Sequence, residues 1–239
     1  GINAQMSVPV VCYDAWRYTL DNYTRKWGIG EVTMNVGAVA SMESEEERPF
    51  TRLSVKLRKR IVQDALPQDI DQELDLVKAS GLSLSPSAWH DKIANAEAGK
   101  EPVVIDCRNY YESQIGLFDG ALRLPVDRYS ESFDAVDKML EEHLDRTLSG
   151  LTTDESSKTD SKQVDCDVLL YCTGGIRCEK IGAYLSQVKG RKNIHTLQGG
   201  INRYAKYVAE TQVPSVYKGK NYQFDKRNKF GLETESVTE

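Results

Sequence analysis

Four apolar residues, Val168-Leu-Leu-Tyr171, run directly into Cys172-Thr-Gly-Gly-Ile-Arg177, and a helical pattern follows from Glu179 to Val188. This order constrains the fold more than any other stretch of the chain. A short apolar run bounded by turn residues reads as a strand buried on both faces. Such strands belong to parallel sheets covered by helices on both sides. In open parallel sheets, ligands bind beyond the carboxyl ends of the strands, which is where Cys172 falls. The two glycines let the backbone turn sharply. Successive N–H groups can then point inward as an anion-binding nest, and the next helix adds the positive end of its dipole. A thiol placed there has a lowered pKa and stands largely as thiolate at neutral pH. Thiolate is the form that attacks sulfur or phosphorus, and Arg177 can add a fixed positive charge at the rim. A buried cysteine on a glycine-rich turn is the plainer reading and is common for cysteine in general. It does not account for the order strand, cysteine, glycine-rich loop, arginine, helix.

The rest of the second half repeats this α/β rhythm. Pro102-Val-Val-Ile-Asp106 is a short buried strand; Phe118 to Pro125 turns through Asp119-Gly120 into another. Phe133 to Leu144 is an amphipathic helix, Asn193 to Leu197 a last strand, and Ile201 to Ala209 a last helix. Strands alternating with helices at these intervals predict a parallel sheet with helices on both faces. Residues 148–163, rich in Ser, Thr, Asp and Lys, read as a low-complexity insertion. Ser85 or Ser87 can cap a helix running through Trp89, Ile93 and Ala96.

The first part of the chain carries weaker signals. Val11 to Trp27 has helical spacing through Trp16, Leu20 and Tyr23, with Asp14 as a candidate cap. Val32 to Ala40 alternates like a strand, Met42 to Arg48 is a charged loop, and Phe50 to Val62 returns as an extended segment. Leu53, Val55 and Leu57 share one face of that segment, and Lys56, Arg58 and Arg60 the other. Pro67 to Leu84 reads as a linker. The expected division is thus a small, partial ferredoxin-like α+β domain over 1–66, a linker over 67–84, an α/β domain over 85–213 and an extension over 214–239.

Charge and cysteine usage exclude some functions. The net charge of -5 gives no overall pull toward nucleic acid or an anionic membrane, so RNA binding would need a local basic patch. Lys56, Arg58, Lys59 and Arg60 form one candidate. Lys189, Arg191 and Lys192 form a second, and Lys218, Lys220, Lys226, Arg227 and Lys229 a third. Each cluster also reads as an ordinary solvated face. Five cysteines, an odd number at irregular spacing, do not form a secreted disulfide framework and fit a reducing compartment, cytoplasmic or organellar. No zinc-like array and no flavin or iron motif is visible, so neither metal nor cofactor is expected. The apolar runs are too short to span a bilayer. The chain opens at Gly1 rather than Met, which leaves any targeting segment unread.

Three segments resemble the signatures of rhodanese domains: Asp106-Cys-Arg-Asn-Tyr-Tyr-Glu112 with Gly116-Leu-Phe-Asp-Gly-Ala121, then Cys172-Thr-Gly-Gly-Ile-Arg-Cys178, then Leu197-Gln-Gly-Gly200. The loop runs C-x4-R, six residues from Cys172 to Arg177. That length resembles sulfurtransferases; the phosphatases of this fold use a loop one residue longer. The resemblance becomes closer with Gly1-Ile-Asn3, Phe50-Thr-Arg-Leu-Ser-Val-Lys-Leu-Arg-Lys59, Cys172 to Lys180 and Tyr217-Lys-Gly-Lys-Asn-Tyr-Gln-Phe-Asp225. Together these are similar to the oxygen-dependent tRNA uridine hydroxylases, which carry an acylphosphatase-like or ferredoxin-like domain before a rhodanese domain. The family's first strand and helix, its cysteine-rich tail after Phe230, and a chain without the 148–163 insertion are the points of departure.

The resemblance implies that Cys172 is the reactive cysteine, with Arg177 beside it and Thr173, Gly174, Gly175, Ile176 and Cys178 forming its loop. Cys178 reads equally as a resolving thiol and as a small packing residue at the loop base. Asp106 and Arg108 are expected to brace the loop, and Cys107 to pack in the sheet. The implied activity is hydroxylation of the tRNA wobble uridine to 5-hydroxyuridine, with tRNA as partner. Sulfur transfer through a persulfide, with a protein sulfur donor or acceptor, and a non-catalytic place in a larger assembly are the alternatives.

Overall fold

In the computed structural model the described residues are 4, 6–29, 54–58, 60, 62–79, 82–151, 166–222 and 229–231. The chain divides into two units, residues 1–61 with 222–230, and residues 62–221 with 231–239.

In the first unit a 3-10 turn, Val10–Cys12, leads into α1 (Tyr13–Lys26). The expected helix is present. Its N-cap position is Cys12, with no side-chain cap, and Asp14 lies inside the first turn, where a carboxylate favours the positive helix end. Residues 54–58 carry no ladder, and Val55 and Leu57 are exposed. No strand occurs among the described residues between 4 and 60, so the apolar face expected of that segment is not formed there. The strand expected over 32–40, the loop over 42–48, and the residues Gly1, Phe50 and Lys59 lie outside the described residues.

The second unit is built on five parallel strands in the order Ser83–Leu84, Ile194–Leu197, Val168–Tyr171, Val103–Asp106 and Leu122–Arg123. It begins with α2 (Gln68–Glu73), α3 (Leu76–Ala79), β1 (Ser83–Leu84) and α4 (Pro86–Ala94). Then come β2 (Val103–Asp106), α5 (Tyr110–Ser113), β3 (Gly116–Phe118), β4 (Leu122–Arg123) and α6 (Ser132–Leu151). β5 (Val168–Tyr171), α7 (Ile176–Ala183) with a π-helical turn (Tyr184–Val188), β6 (Ile194–Leu197), α8 (Gly200–Thr211) and β7 (Tyr217–Tyr222) complete it.

Alternation along the central strands separates two cores, because successive side chains of a strand face opposite sides. Val103, Ile105, Val168, Leu170 and Cys172 face Phe133, Val136 and Leu140 of α6 and Ile181 of α7. Val104, Leu169 and Tyr171 face Trp89 of α4 and Ile201 and Tyr204 of α8. Each fully buried aliphatic side chain contributes roughly 1.5–3 kcal/mol, so the four-residue strands β2 and β5, buried at every position, anchor the sheet.

Two expectations are corrected. The stretch 67–84 is part of this unit rather than a linker: β1 pairs with β6, and Ala79 of α3 is buried. What ties it down is Lys180 of α7, 8% exposed, whose ammonium reaches Asp64 at 2.6 Å and also bonds Asp71 of α2. A cation from a later helix buried between two carboxylates leaves no one-dimensional pattern. The second correction is α6, which continues to Leu151, past the residue where the insertion was expected to begin. Residues 152–163 lie outside the described residues. As expected, Ser85 caps α4, its hydroxyl accepting from the Ala88 N–H at 3.2 Å.

Candidate active site

Cys172 follows the last residue of β5, at the carboxyl edge of the sheet. The chain then crosses Thr173 and Gly174 to Gly175, the N-cap of α7, at φ 90°. A side chain at Gly175 would press on the Gly199 backbone at 3.1 Å. Gly200, at φ 62°, is tighter still: a Cβ there would stand 2.3 Å from the Cys172 carbonyl oxygen. Because both positions lack side chains, the start of α8 lies directly against the loop. The Ile201 N–H donates to the Cys172 carbonyl at 3.0 Å and the Asn202 N–H to the Thr173 carbonyl at 3.1 Å. The Gly199-Gly200 pair thus forms the backing of the loop.

Inside this frame the Gly175 N–H points at the Cys172 sulfur, 3.1 Å away. Cys172 is 1% exposed, and burial alone would raise its pKa. The Cys178 thiol, the Arg177 charge and the N–H groups of Cys178 and Arg177 outweigh burial and bring it down to about 5. The sulfur is therefore a thiolate at neutral pH, the state expected for a cysteine at a helix N-terminus beside an arginine. Glu179, in the first turn of α7, is pushed the other way, by burial and then by the Cys172 charge.

The Arg177 charge that acts on the sulfur is held in place. Its guanidinium is held by Glu112 of α5 through two bonds, 2.6 and 2.7 Å, and its Nη2 also donates to the Thr173 hydroxyl at 3.3 Å. The Glu112 side chain is fully buried and also accepts from the Asn109 N–H, closing a capping box on α5. Burial disfavours the charged form of Arg177; the Glu112 bonds and the Cys172 charge raise its pKa nevertheless. On the far side of the loop, the Tyr129 hydroxyl donates to the Arg177 carbonyl at 3.0 Å. A cleft of about 560 Å³, lined by Val62, Gln63, Asp64, Arg128, Tyr129, Ser130 and Arg177, opens at this rim.

Cys178 is fully buried, and its sulfur lies 3.8 Å from that of Cys172. Its thiol also reaches the Gly175 carbonyl at 3.1 Å. The hydrogen bond to Cys172, then burial and the Cys172 charge, raise its pKa, so it keeps its proton when Cys172 has lost its own. Cys107 is packed in the core, fully buried, with its pKa raised by burial and then by Cys172.

The sequence groups Thr173, Gly174, Gly175, Ile176, Arg177 and Cys178 around Cys172, and the structure brings them together. Asp106 and Arg108 form a fully buried ion pair, but it faces elsewhere. Arg108 donates to the Gly116 carbonyl at 2.5 Å and the Tyr217 hydroxyl at 3.4 Å, and the Tyr171 hydroxyl donates to Asp106 at 2.8 Å. This pair holds the β3–β7 ribbon to the sheet. Bracing of the cysteine loop falls to Glu112, which sequence reasoning passed over. The signal for it was the Asn109-Tyr-Tyr-Glu112 spacing of a capping box, which marks a helix start but not a second use of the same carboxylate.

Lys56 and Arg58 are exposed in the first unit, Arg60 is half-buried there, and Lys59 is outside the described residues. In the other basic clusters Lys189 is bonded to Asp137 at 2.5 Å and Lys218 to Asp119 at 2.9 Å. Among the described residues no group of three His, Cys, Asp or Glu side chains could hold a metal ion. No helix among them is long and apolar enough to cross a membrane.

A parallel sheet with a thiolate cradled between its central strand and the following helix defines a cysteine-loop α/β domain. The family model of the rhodanese-like domain matches residues 89–207, and that stretch of the chain is a rhodanese-like domain. It is 31% identical over 227 residues, 95% of its length, to a protein of Erwinia tasmaniensis named tRNA uridine(34) hydroxylase. It is 29% identical over 233 residues, again 95% of its length, to a protein of the same name from Pectobacterium carotovorum subsp. carotovorum. These matches cover 55% and 54% of the relatives, so the chain spans about half the length of the curated relatives it matches.

Proposed function

We propose that this chain takes part in oxygen-dependent hydroxylation of the wobble uridine of tRNA, giving 5-hydroxyuridine, with Cys172 as its reacting thiol. The observation that carries this reading is the thiolate itself. It is held at a pKa of about 5 in a chain that is about 30% identical, over 95% of its length, to relatives named tRNA uridine(34) hydroxylase. Maintaining a buried thiolate requires donors aimed at the sulfur, and the loop, the start of α7 and Arg177 supply them. In the reaction, the N–H cradle holds the sulfur charged, Glu112 fixes the guanidinium beside it, and the Tyr129 side of the rim faces the cleft through which a nucleotide would approach. The exposed Lys56 and Arg58 are suited to phosphate contacts, which position a nucleic acid without reading its sequence. tRNA is then the partner, in the cytoplasm or an organelle.

The test is mass spectrometry of tRNA from cells lacking this protein, complemented with the wild type or with Cys172→Ser. Loss of 5-hydroxyuridine-derived nucleosides, restored by the wild type alone, is the expected result. Unchanged hydroxylation would remove the proposal. One specific observation favours a second reading, transfer of sulfur as a Cys172 persulfide to or from a partner protein. The loop has six residues from Cys172 to Arg177, the shorter form associated with sulfurtransferases. Altered thiolated nucleosides with normal hydroxylation would select that reading.

A further inference from the structure

The geometry points to Cys178 as the resolving thiol of this site: once Cys172 carries an oxidised sulfur, Cys178 closes a disulfide onto it. From the proposed function this takes only the premise that Cys172 is the reacting thiol. The two sulfurs are 3.8 Å apart, and no side chain needs to leave the space between them. A disulfide bond is about 2.05 Å long. The sulfurs must therefore approach by a little under 2 Å.

The backbone has to stay where it is, since the Cys172 and Thr173 carbonyls are bonded to α8 and Gly200 lies against them. What is given up is the Gly175 N–H bond to the Cys172 sulfur and the Cys178 thiol bond to the Gly175 carbonyl. Both belong to the thiolate state of the loop. Closing the disulfide therefore dismantles the cradle that holds the thiolate, and reopening it restores the cradle.

The chemistry balances with a hydroperoxide as oxidant. The Cys172 thiolate attacks the peroxide oxygen, the O–O bond breaks, and Cys172 becomes a sulfenic acid while hydroxide or alkoxide leaves. The Cys178 sulfur then attacks the Cys172 sulfur. The S–S bond forms as the S–O bond breaks, and the Cys178 proton leaves with the hydroxide as water. An external dithiol returns both residues to the thiol state by exchange, becoming a disulfide itself. With Cys172 only 1% exposed, the first step is open to small hydroperoxides, whereas the second needs no access at all because its partner is already inside. Cys178 holds its proton beside the charged Cys172, so it is inert until that charge is removed by oxidation.

The experiment treats the whole chain with hydrogen peroxide, blocks remaining thiols by alkylation and maps tryptic peptides. Arg177 lies between the two cysteines, so trypsin places them on separate peptides; Cys166 shares the 163–177 peptide with Cys172, and fragment-ion spectra of the linked pair assign the bond to one or the other. The expected result is a Cys172–Cys178 linked pair, lighter by two hydrogens and lost on reduction with dithiothreitol. In Cys178→Ser that species disappears, and a Cys172 sulfenic acid trapped by dimedone replaces it as the dominant product. Equal trapping of Cys172 in both proteins with no linked pair overturns the inference. So does an unoxidised Cys172 under conditions that oxidise the exposed Cys12. Should Cys178→Ser fail to fold, Cys178→Ala and the wild-type map still decide. No tRNA enters this assay, so its failure leaves the hydroxylation proposal standing, and failure of hydroxylation leaves the disulfide standing.

Discussion

Arg177 sets both terminal nitrogens on the two carboxylate oxygens of Glu112, Nη1 to Oε1 at 2.6 Å and Nη2 to Oε2 at 2.7 Å. Such a planar, two-point pair fixes orientation as well as charge. It joins α5 to the cysteine loop at a point where the glutamate is fully buried and the arginine nearly so. Removing one partner of a buried pair leaves the other desolvated and alone, which costs about 3–5 kcal/mol. Glu112→Ala is expected to destabilise the rhodanese-like domain by that amount in urea unfolding. Glu112→Gln, which keeps the shape and loses the charge, should cost less. Equal stability of Glu112→Ala and the wild type would show that the pair does not hold the loop.

The state of Cys172 gives a second prediction. A free cysteine at the usual value of 9.0 becomes nucleophilic as the pH passes that value, whereas Cys172 sits at about 5. The sign is that of a depressed acid: the thiolate fraction rises as pH rises through the folded-state value. Alkylation of Cys172 by iodoacetamide should therefore rise with a midpoint near pH 5 and be flat across neutrality. Burial opposes the thiolate, and Arg177 is among the groups that overcome it. Arg177→Met should move the midpoint upward, and a pH profile of alkylation followed by peptide mapping measures it. An unmoved midpoint would assign the depression to the loop N–H groups and the Cys178 thiol alone.

The parts of this site that are local in sequence were legible in it. Val168 to Tyr171 shows an apolar run too short to be a helix, and Cys172 to Arg177 follows within one turn, so the strand, the loop and the thiolate could be read together. Glu112 could not be assigned to the loop, because it lies 65 residues before Arg177 and its spacing already had a sufficient local meaning as a helix cap. Lys180 hid for the same reason. A lysine on a helix is ordinarily solvated, and only the return of residues 64 and 71 to the same place shows it buried between two acids. The short helices at 68–73 and 76–79 fall in a stretch that reads as a linker because it is acidic and then polar and runs into Ser85-Pro86. Their stability comes from α7 and not from their own propensity.

If the proposed function holds, the exposed basic residues of the first unit contribute to tRNA affinity through phosphate contacts. Lys56→Ala and Arg58→Ala should each weaken binding whatever the tRNA sequence. Each should also reduce the slope of log K against log salt by about 1. A salt titration of tRNA binding with the two single variants tests this. Weaker binding with an unchanged slope would mean that neither residue meets a phosphate.

Gly200 carries the sharpest expectation for the loop's architecture. It sits at φ 62°, a conformation L side chains rarely adopt, and an added Cβ would lie 2.3 Å from the Cys172 carbonyl oxygen and 2.7 Å from the Gly175 nitrogen. Both contacts are with backbone, so no rotamer can relieve them. Either α8 withdraws, breaking the Ile201 and Asn202 N–H bonds to the loop carbonyls, or the loop itself shifts. The Gly175 N–H that faces the Cys172 sulfur belongs to the displaced segment in the second case. Gly200→Ala should therefore cost about 1–3 kcal/mol of stability as an overpacking change. It should also raise the alkylation midpoint of Cys172 while leaving the residue in place. Gly174→Ala is the control, because a Cβ at Gly174 meets nothing within 4 Å. A folded Gly200→Ala protein with an unshifted Cys172 midpoint would show that the thiolate is held without the support of the α8 start.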